Sequence, residues 1–407
     1  MSNSESSRLV SSKGCPVRDA EWYQKFRRRI VSWYRKHARD LPWRATIDPY
    51  KIWVSEIMLQ QTQVATVLGY YSRFLEAFPT VRDLADADEQ SVLKLWEGLG
   101  YYRRARQLHA AAKVVRDEHG GHFPTEFEAI RKLPGIGRYT AGAIASFAFN
   151  ERAPILEANT IRLFSRLVAL RSDPKTKSAQ EDLWQFAEDI LPNRSARRDA
   201  RVFAELNQAV MELGSRVCKP DTPECSECPL ESLCPTHSQG LQAEIPLRKQ
   251  KAKPIELNHF LWIVRRRDEF LFRQNPEGEW WQGLWDFPRE RTDLRLPAKS
   301  SRKLRLTKKQ LAAAETAFEV LTGLRGEVTG VNSEFKHGVT KYRIRVLCLE
   351  ATLSEAVDSD LLQLPKGWAW VSLEKAASTL PLTSTAQNLV KRLGDYSPRG
   401  ELPLDFQ

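Results

Sequence analysis

Two glutamates stand in sequence environments suited to acid–base chemistry. Glu56 lies in WVSEIMLQQTQVATV, a segment with apolar residues at nearly every helical position, and a helix that is apolar all round is a buried helix. Burial penalises the ionised carboxylate and raises its pKa, which would make Glu56 a proton donor near neutral pH. The alternative is a buried glutamate satisfied by a neighbouring side chain, and the pattern alone favours neither interpretation.

The second glutamate, Glu157, follows an apolar pair in PILEANTIRL and precedes apolar residues at helical spacing. We predict that Asn159 or Thr160 caps this helix, and that the positive end of the helix dipole lowers the pKa of Glu157. Two carboxyl groups with opposed pKa shifts suit an acid and its electrostatic or nucleophilic partner. The alternative is that Glu157 only caps its helix.

Four of the six cysteines crowd into one short segment with the spacing C-x6-C-x2-C-x5-C. They are Cys218, Cys225, Cys228 and Cys234. A disulfide framework spreads its cysteines along a small secreted chain, so this clustering indicates a metal centre in a reducing compartment. Four thiolates can hold a zinc ion or an iron–sulfur cluster, and the spacing alone does not choose between them.

A glycine-containing turn joins two helical segments in KLPGIGRYTAGAIASFAF. Its glycines, Gly135 and Gly137, let the backbone approach a ligand closely. The next helix begins with free N–H groups at the positive end of its dipole, so phosphate is a natural partner. Lys132 and Arg138 add positive charge, although a plain turn between helices would also fit the pattern.

The elements that must position these residues fall into two regions. A chain of 407 residues with a hydrophobic share of 42% favours two globular domains over one core. The pattern from Asp19 to about Leu213 is helical, and Asp48-Pro49 supplies a cap for a helix that continues past Gln63. Gln60 and Gln63 would then share a face with Glu56. After Asn258 come short β-like runs, FLWIVRR, EFLFRQ and KYRIRVLCLEATL, and one helical segment, KKQLAAAETAFEVLTGL.

We therefore predict a mainly α N-terminal region and an α+β C-terminal region. The predicted segments are a disordered tail at 1–18, a helical domain at 19–236 with its cysteine loop at 218–234, a basic linker at 237–257, an α+β domain at 258–395 and a C-terminal tail at 396–407. The linker prediction rests on the polar, basic and proline-containing composition of QGLQAEIPLRKQKAKPIE.

The charge balance favours a polyanionic partner. The formal net charge is +11 and the pI is near 9.3, which is typical of nucleic-acid-binding proteins but also of basic proteins without such a partner. The polar, serine-rich N-terminus and the lack of an apolar run of about 20 residues predict a cytoplasmic protein with no membrane association.

Several of these motifs together resemble one known family. The cysteine spacing and LPGIG resemble the cluster loop and the helix-hairpin-helix element of the endonuclease III superfamily of DNA glycosylases. SEIMLQQTQVATV, LPW and GLGYYRRARQLH resemble the MutY family of adenine DNA glycosylases, over roughly Glu21 to Pro235. The resemblance implies a [4Fe-4S] cluster on the four cysteines, a hairpin that contacts the DNA backbone, and removal of adenine mispaired with 8-oxoguanine or guanine by a monomer.

The resemblance also implies roles for single residues. Glu56 is implied as the general acid that protonates the adenine ring, and the other implied catalytic residues are Glu157, Tyr139 and Asn159. The implied DNA-binding residues are Gln60, Gln61, Thr62, Tyr101, Lys132, Gly135 and Gly137. Of these, Gln61 and Tyr101 would wedge into the base stack beside the lesion. The implied adenine pocket consists of Trp43, Arg44 and Gln208.

The sequence departs from the family pattern in the catalytic motifs. Bifunctional relatives carry a lysine in the hairpin that attacks the sugar, whereas this chain has Tyr139, which favours a monofunctional enzyme that leaves an abasic site. Glu157-Ala158-Asn159 replaces the usual Asp-Gly-Asn. The extra methylene moves the carboxylate by about 1.5 Å, and a misplacement near ~1 Å can cost on the order of a hundredfold in rate.

The run FLFRQNPEGEWWQGLWDFP resembles the opening of Nudix-type domains. A Nudix hydrolase needs a helix of clustered acids for its metal, and KKQLAAAETAFEVLTGL holds only Glu315 and Glu319, so we expect lesion recognition without nucleotide hydrolysis. The family usually recognises 8-oxoguanine with a Phe-Ser-His loop, which here reads Phe335-Lys336-His337. Lysine donates hydrogen bonds but cannot accept one, so the sequence leaves the preference between 8-oxoguanine and guanine undecided.

Two other functions fit parts of the sequence. A pyrimidine-lesion glycosylase of the endonuclease III type would share the hairpin and the cysteine loop, but Tyr139 and the Nudix-like region oppose it. A catalytically weakened mismatch-binding protein would account for Glu157 and Lys336. The prediction is a monofunctional adenine DNA glycosylase of base excision repair that acts on double-stranded DNA.

Overall fold

A computed structural model describes residues 18–193, 201–247, 253–294, 296, 304–354 and 364–395. The chain divides into two compact units: unit 1 is Met1–Asp86 with Gln107–Gln250, and unit 2 is Ala87–Arg106 with Lys251–Gln407. Nearly all of the predicted N-terminal tail, the middle of the predicted linker at 248–252 and the tail at 396–407 lie outside the described residues. The boundaries of the predicted segments stay predictions.

The first part of the described chain is helical. Its helices are α1 (Ala20–His37), α2 (Pro49–Leu59), α3 (Val64–Ala77), α4 (Val81–Asp86), α5 (Glu89–Leu95), α6 (Arg103–Glu118), α7 (Phe127–Lys132), α8 (Arg138–Phe149), α9 (Ala158–Leu167), α10 (Lys177–Asp189), α11 (Val202–Arg216) and α12 (Pro235–Ser238). Short 3-10 turns lie at Pro42–Arg44, Cys225–Glu227 and Glu231–Leu233. Helix α5 and the first residues of α6 belong to unit 2, and the other helices of this series belong to unit 1.

Helix α2 begins as the sequence predicts and ends earlier. The Asp48 side chain accepts a hydrogen bond from the Tyr50 N–H, and proline occupies the first turn, so the predicted cap is confirmed. The prediction of one helix through Gln63 is wrong, because the chain turns at Gln61, whose φ of 57° lies in the left-handed region and interrupts an α-helix. Gln63 is instead the N-cap of α3.

Unit 1 has its core where α2, α8 and α11 pack together. Residues 52–58 of α2 are all buried, which confirms the buried helix that the sequence predicts. Helix α8 lies against the segment that leads to Glu157, because a Cβ on Gly142 would lie 2.4 Å from the Pro154 carbonyl oxygen. Helix α11 holds the same segment through the Asn207 amide, which donates to the Ala153 carbonyl oxygen at 2.8 Å.

Unit 2 contains a mixed sheet with helices. The strands and helices are β1 (Ile255–Arg266), β2 (Glu269–Gln274), β3 (Trp285–Asp286), β4 (Arg289–Thr292), α13 (Lys308–Thr322), β5 (Gly326–Val339), β6 (Tyr342–Leu353), β7 (Trp368–Ser372), α14 (Leu373–Thr379) and α15 (Ser384–Gly394). The described strands follow the order β3-β2-β1-β6-β5, with β4 paired to β1 and β7 paired to β2. Strands β1 and β6 are parallel, with Phe260 opposite Leu347, and the other pairs are antiparallel.

The two faces of this sheet carry separate apolar clusters. Phe260 and Trp262 of β1 pack with Phe318 of α13 on one face, whereas Leu261 of β1 packs with Leu389 of α15 on the other. This alternation follows from the two-residue repeat of a strand that is covered on both sides. The predicted fold class, a mainly helical region followed by an α+β region, is confirmed.

The structure corrects one assignment in unit 2. Phe335-Lys336-His337, which the sequence places in a loop, lies within β5 opposite β6. The acids of α13 are engaged locally: Glu315 accepts from the Val328 backbone N–H at 3.1 Å and Glu319 contacts Arg325. Over the described ranges, no helix has the length and hydropathy needed to cross a membrane.

Candidate active site

A pocket of about 550 Å³ opens in unit 1, a size within the range of ligand-binding clefts. Its walls come from α2, α8, the start of α9, α11 and the 3-10 turn after α1. The predicted residues that line it are Trp43, Arg44, Glu56, Gln60, Gln61, Thr62, Gly135, Gly137, Tyr139, Glu157, Asn159 and Gln208. The fold therefore brings together residues that are separated by up to 165 positions in the sequence, since Trp43 and Gln208 both line the pocket. Lys132 and Tyr101 are not among the lining residues.

Glu56 is the buried acid of this pocket. Its residue is 4% exposed, and its Oε2 accepts a hydrogen bond of 2.6 Å from the Tyr139 hydroxyl. Burial raises the pKa of Glu56 to about 7, the Tyr139 hydrogen bond partly offsets this, and the charge of Glu157 adds to it. The predicted rise in pKa is thus confirmed, and near neutral pH a substantial fraction of Glu56 carries a proton.

Tyr139 keeps its own proton. Burial, together with the charges of Glu56 and Glu157, raises the pKa of this phenol well above its ordinary value. The hydroxyl also lies 4.0 Å from the Met211 sulfur. Tyr139 is therefore a neutral donor that fixes one carboxyl oxygen of Glu56 and leaves the other oxygen for a ligand in the pocket.

Glu157 is itself the N-cap of α9, so the predicted caps, Asn159 and Thr160, are wrong. Its Oε1 accepts from the Thr160 N–H at 3.0 Å and its Oε2 from the Asn159 N–H at 2.9 Å. The Thr160 hydroxyl in turn accepts from the Glu157 N–H at 2.7 Å, which completes a capping box. The glutamate side chain is long enough to fold back onto both amides.

The predicted fall in the pKa of Glu157 is wrong as well. Burial raises the pKa of this carboxyl, and the opposing effects of the Asn159 and Thr160 N–H groups and of Arg162 are smaller together. The N–H groups at the helix start act in the expected direction, but desolvation of the charge outweighs them. Both glutamates therefore have raised pKa values, and the predicted pair of opposed shifts is not present between them.

Asn159 is held by a network that the sequence does not reveal. The Arg162 guanidinium donates to the Asn159 side-chain oxygen at 2.9 Å and to the Gly214 carbonyl oxygen at 2.6 Å. It also reaches the Cys218 carbonyl oxygen at 2.7 Å. A Cβ on Gly214 would lie 2.9 Å from the Asn159 carbonyl oxygen, so glycine permits this close approach of α11 to α9.

A second buried glutamate, Glu212, lies on the α11 wall and was missed from the sequence. It is 0% exposed, and its carboxylate accepts hydrogen bonds from Arg39 at 2.7 and 2.8 Å and from Arg44 at 2.7 Å. Burial alone would raise the pKa of Glu212, but the hydrogen bonds and charges of the two arginines outweigh it and lower the pKa to about 2. The available signal was helical spacing, since Glu212 follows Gln208 by four residues.

The same wall fixes the predicted adenine-pocket residues. Arg44 bonds to Glu212 and to the Arg39 carbonyl oxygen at 3.1 Å, and its guanidinium lies 5.5 Å from the Tyr34 ring centroid. The Tyr34 hydroxyl donates to the Gln208 side-chain oxygen at 2.7 Å. This bond orients the Gln208 side chain, whose amide NH₂ can act as a donor.

The glycine turn presents backbone to solvent beside this pocket. Gly135 has a φ of 74°, and a Cβ there would lie 2.7 Å from the Gln107 Cβ. Gly137 is the N-cap of α8, without a side-chain cap, and it is exposed together with Lys132. The turn thus combines exposed amides at a helix start with a nearby cation, which is an anion-binding arrangement.

The two predicted wedge residues share an uncommon backbone conformation. Gln61 has a φ of 57° and Tyr101 a φ of 49°, and neither is glycine. The Tyr101 residue is 54% exposed, and Gln61 is exposed as well. Such conformations cost free energy and concentrate at functional sites. Gln61 belongs to unit 1 and Tyr101 to unit 2.

The four clustered cysteines, Cys218, Cys225, Cys228 and Cys234, line one small cavity in unit 1. Arg166 also lines it and donates to the Cys218 sulfur at 3.2 Å. Within the described ranges, no group of three or more His, Cys, Asp or Glu side chains is arranged to hold a metal ion. The thiols therefore surround a shared space without forming the tight shell of one ion.

Phe335, Lys336 and His337 have different surroundings on β5. The Arg392 guanidinium lies 5.4 Å from the Phe335 ring centroid, and the Lys336 side chain is 61% exposed. The His337 Nε2 lies 3.2 Å from an Arg289 nitrogen. Burial first and the Arg289 charge second lower the pKa of His337 to about 4, so His337 is neutral at pH 7 and can accept from Arg289.

Comparison with known proteins adds a family. Residues 54–189 match the family model described as an HhH-GPD superfamily base excision DNA repair protein. The chain is 44% identical to the adenine DNA glycosylase of Rattus norvegicus over 233 residues, which cover 54% of this chain and 44% of that protein. It is 35% identical to the adenine DNA glycosylase of Buchnera aphidicola subsp. Schizaphis graminum over 264 residues, which cover 65% of this chain and 74% of that protein.

Among solved structures, the chain is similar to a thermostable thymine-DNA glycosylase, with 28% identity and a TM-score of 0.47 over 53% of this chain and 97% of that one. The mammalian relatives are longer than the matched region. The chain spans less than half the length of the rat protein, whereas it spans about three quarters of the Buchnera protein.

Proposed function

The chain belongs to the adenine DNA glycosylase family, and from that membership we propose that it is a monofunctional glycosylase of base excision repair. Its substrate is adenine opposite 8-oxoguanine or guanine in double-stranded DNA. One observation carries the proposal: a buried carboxyl group, Glu56, has a pKa near 7 and is oriented by the Tyr139 hydroxyl inside a pocket of suitable size for a base.

The reaction begins with the adenine turned out of the duplex into the pocket, since an enzyme cannot reach the glycosidic bond of a stacked base. Trp43, Arg44 and the Gln208 amide line the wall that would hold the ring. Glu56 donates its proton to a ring nitrogen of the adenine. The electron pair of the bond between base and sugar then leaves with the neutral adenine, and positive charge develops on the sugar.

Glu157 supplies the anion for that sugar. Its oxygens are held by the Asn159 and Thr160 amides, so the charge is fixed in place before the reaction. Water adds to the anomeric carbon and passes its extra proton to solvent water, and the product is an abasic site. The raised pKa of Glu157 is consistent with an anion that is most stable when a cation develops beside it.

The absence of a lysine supports release of an intact abasic strand. Of the described residues that line the pocket, none is a lysine, and strand cleavage of the endonuclease III type needs an amine that attacks the sugar. Tyr139 is engaged with Glu56 and remains protonated. Treatment of the reacting complex with borohydride should therefore trap no covalent protein–DNA adduct.

Contacts with DNA come from the exposed turn and the wedge residues. The Gly135 and Gly137 turn and Lys132 would bind a phosphate, and Gln61 and Tyr101 would enter the base stack. The net charge of +11 supports an electrostatic contribution to binding that weakens as salt rises. On β5, Phe335, Lys336 and His337 would contact the base opposite the adenine, with Lys336 as a donor only.

The four cysteines would hold a [4Fe-4S] cluster. One ion binds its sulfurs at about 2.3 Å, whereas in an iron–sulfur cluster each thiolate binds a different iron, so the sulfurs surround a larger space. All four cysteines line one cavity, and their spacing, which resembles the cluster loop of the superfamily, supports the cluster over zinc. The bound cluster would supply four iron–thiolate bonds that brace the loop, and the glycosylase steps above use only side chains of this chain.

The test uses purified full-length protein and duplexes with adenine opposite 8-oxoguanine, guanine or thymine. Release of adenine from the first two, with an alkali-sensitive strand that stays intact until heated, supports the proposal. Binding without release would identify a mismatch-binding protein, and release of oxidised pyrimidines would identify an endonuclease III-type enzyme; either result overturns the proposal. An iron-dependent absorption band in the visible range, absent in Cys228→Ser, would identify the cluster.

A further inference from the structure

The Tyr101 turn is attached to the C-terminal part of unit 2 by contacts that no role described so far explains. From this we infer that the segment Trp281–Trp285, called here the tether segment, fixes the Tyr101 turn and the His337 strand as one body. It does so together with residues 380–382, which it contacts through the bond from the Trp285 N–H to the Pro381 carbonyl oxygen at 2.8 Å. Gln90, Glu97 and Arg106 are the positioning residues of this body. The functional meaning rests on the proposed glycosylase function.

The turn is internally bonded and holds Tyr101 in a strained backbone conformation. Gly98, Gly100 and Tyr101 have φ values of 96°, 70° and 49°, so most of the turn lies in the left-handed region. The Gly98 N–H donates to the Tyr102 hydroxyl at 3.1 Å, and the Arg104 guanidinium donates to the Gly100 carbonyl oxygen at 3.0 Å. A turn of this kind persists only when its surroundings fix it.

Helix α5 attaches the start of the turn. The Gln90 amide donates to the Gly283 carbonyl oxygen at 3.0 Å and accepts from the Trp285 indole N–H at 2.9 Å. The Lys94 ammonium uses its three donors on the Ala377 and Leu380 carbonyl oxygens and on Glu97, at 2.7, 2.9 and 2.8 Å. Gln90 and Lys94 are four residues apart, so they share one face of the helix.

Anchors stand on both sides of the turn. Glu97 directly precedes Gly98 and accepts from the Leu382 backbone N–H at 2.7 Å. After the turn, the Arg106 guanidinium donates to the Gln282 carbonyl oxygen at 2.6 Å. Tyr101, whose side chain is exposed, therefore lies between two anchored residues, Glu97 and Arg106. Their bonding partners, Leu382 and Gln282, both belong to the C-terminal part of the chain.

The tether segment contacts the His337 strand, which is β5, through Trp281. This residue has a φ of 59°, which is rare for a bulky side chain. Its ring lies 5.5 Å from the His337 ring, nearly perpendicular to it, and 4.6 Å from the Arg289 guanidinium that also contacts His337. A chain of contacts therefore runs from Tyr102, whose carbonyl oxygen accepts from the Arg106 N–H at 3.1 Å, through Arg106, Gln282 and Trp281 to His337.

If the Tyr101 turn and the His337 strand move as one body, this has a consequence for the mechanism. If Tyr101 enters the stack beside the base that His337 and its neighbours contact, the two must keep a fixed spacing to distinguish 8-oxoguanine from guanine. Loosening the anchors should therefore reduce discrimination between the two bases and leave adenine release opposite guanine unchanged. Loss of coupling through such a network is measurable as a change in the ratio of rates.

The experiment compares Glu97→Ala with Glu97→Gln in the full-length protein. The glutamine keeps an oxygen for the Leu382 N–H, and the alanine does not. Lys375→Met is the control for a surface change on α14, since Lys375 is exposed. Hydrogen exchange of the DNA-free protein follows the amides of 98–104, and single-turnover assays give the rate ratio for adenine opposite 8-oxoguanine and guanine.

The expected results are about tenfold faster exchange in 98–104 and an about tenfold lower rate ratio in Glu97→Ala, because this variant loses the hydrogen bonds from both the Leu382 N–H and the Lys94 ammonium. Lys375→Met should keep both near wild-type values, and Glu97→Gln, which keeps the Leu382 contact but loses the carboxylate that Lys94 contacts, should change both less than Glu97→Ala does. Unchanged exchange in Glu97→Ala overturns the tether, and faster exchange with an unchanged ratio overturns its role in discrimination. A wild-type protein that releases no adenine would instead overturn the proposed function, and the exchange result would still decide the tether.

Discussion

Two walls of the same pocket each hold a buried glutamate, and they shift the pKa of that glutamate in opposite directions. On α2, Glu56 has a neutral hydroxyl as its hydrogen-bond partner, and its pKa is raised to about 7. On α11, Glu212 has two guanidinium groups as partners, and its pKa is lowered to about 2. Both are nearly inaccessible to solvent, with exposed fractions of 4% and 0%, and their hydrogen-bond partners differ in charge.

The difference shows that the partner determines the role of a buried carboxyl group. A hydroxyl orients the acid without neutralising its charge, so the protonated form remains competitive near pH 7. Two arginines stabilise the ionised form and are in turn held by it. Glu56 can therefore exchange a proton, whereas Glu212 is a permanent anion that positions Arg44 in the wall of the pocket.

The largest expected effect is on the rate of adenine release, through Glu56 on the α2 wall. Glu56→Gln removes the proton donor but keeps the shape of the side chain and an oxygen for the Tyr139 hydroxyl. We expect single-turnover adenine release to fall by about 10²–10⁴-fold, with DNA binding and the melting temperature retained. Glu205→Gln, a substitution on α11 at a residue that does not line the pocket, should leave the rate near wild type. An unchanged rate in Glu56→Gln would remove Glu56 from the role of acid.

A substitution of Glu212 on the α11 wall should instead lower the free energy of unfolding. Glu212→Gln leaves Arg39 and Arg44 without their carboxylate, and breaking a buried ion pair on one side costs about 3–5 kcal/mol. Chemical unfolding should show this loss at pH 7. The Glu205–Arg35 pair is the control, since its arginine side chain is 65% exposed and Glu205→Gln should cost less than ~1 kcal/mol. Equal losses in the two variants would contradict the assigned difference.

The contributions of Glu212 and Glu56 to stability should change with pH in opposite directions. The folded-state pKa of Glu212 lies below its ordinary 4.5, so its contribution is present above about pH 4.5 and is lost as the pH falls toward 2. The folded-state pKa of Glu56 lies above 4.5, so its contribution is present below about pH 4.5 and is lost as the pH rises through 7. Glu212→Gln should therefore remove part of the acid-induced loss of stability.

A smaller effect is expected when only the orienting hydroxyl is removed. The Tyr139 hydrogen bond opposes the rise in the pKa of Glu56, so Tyr139→Phe should raise that pKa further. The alkaline limb of the rate profile for adenine release should move to higher pH. A downward shift, or no shift, would show that the hydroxyl does not stabilise the ionised form of Glu56.

The smallest effect should come from unit 2. Lys336 is a largely exposed donor on β5, and Lys336→Ser replaces it with a group that can also accept a hydrogen bond. We expect a change of about fivefold or less in the rate ratio for adenine opposite 8-oxoguanine and guanine, in favour of 8-oxoguanine. Lys375→Met should not change this ratio, and a lower ratio in Lys336→Ser would assign recognition to the lysine itself.

The sequence could predict features that depend on local pattern. The all-round apolar segment predicted the burial and the raised pKa of Glu56, and the Asp48-Pro49 cap predicted the start of α2. The turn at Gln61 could not be predicted, because its left-handed conformation is imposed at a non-glycine residue by the surrounding fold. Strand β5 was missed because its side chains are mostly intermediate in burial, which gives no clear alternation.

The sequence could not predict a pKa that depends on two opposing contributions, or a contact between residues far apart in the chain. The pKa of Glu157 depends on whether desolvation or the backbone N–H groups dominate, and only the packed structure gives that balance. Glu212 and Arg39 are 173 positions apart, so no local pattern indicates their pairing. The predicted catalytic and adenine-pocket residues nevertheless meet in one pocket, since the motifs that carry them occupy its walls.

The central claim is that Glu56 donates a proton with a pKa near 7. The most direct measurement is the pH dependence of single-turnover adenine release by the wild-type protein, from a duplex with adenine opposite 8-oxoguanine. Above about pH 7 the rate should fall tenfold for each pH unit, and this alkaline limb should be absent in the residual rate of Glu56→Gln. A wild-type rate that stays constant to pH 9, or a limb that persists in Glu56→Gln, would contradict the account.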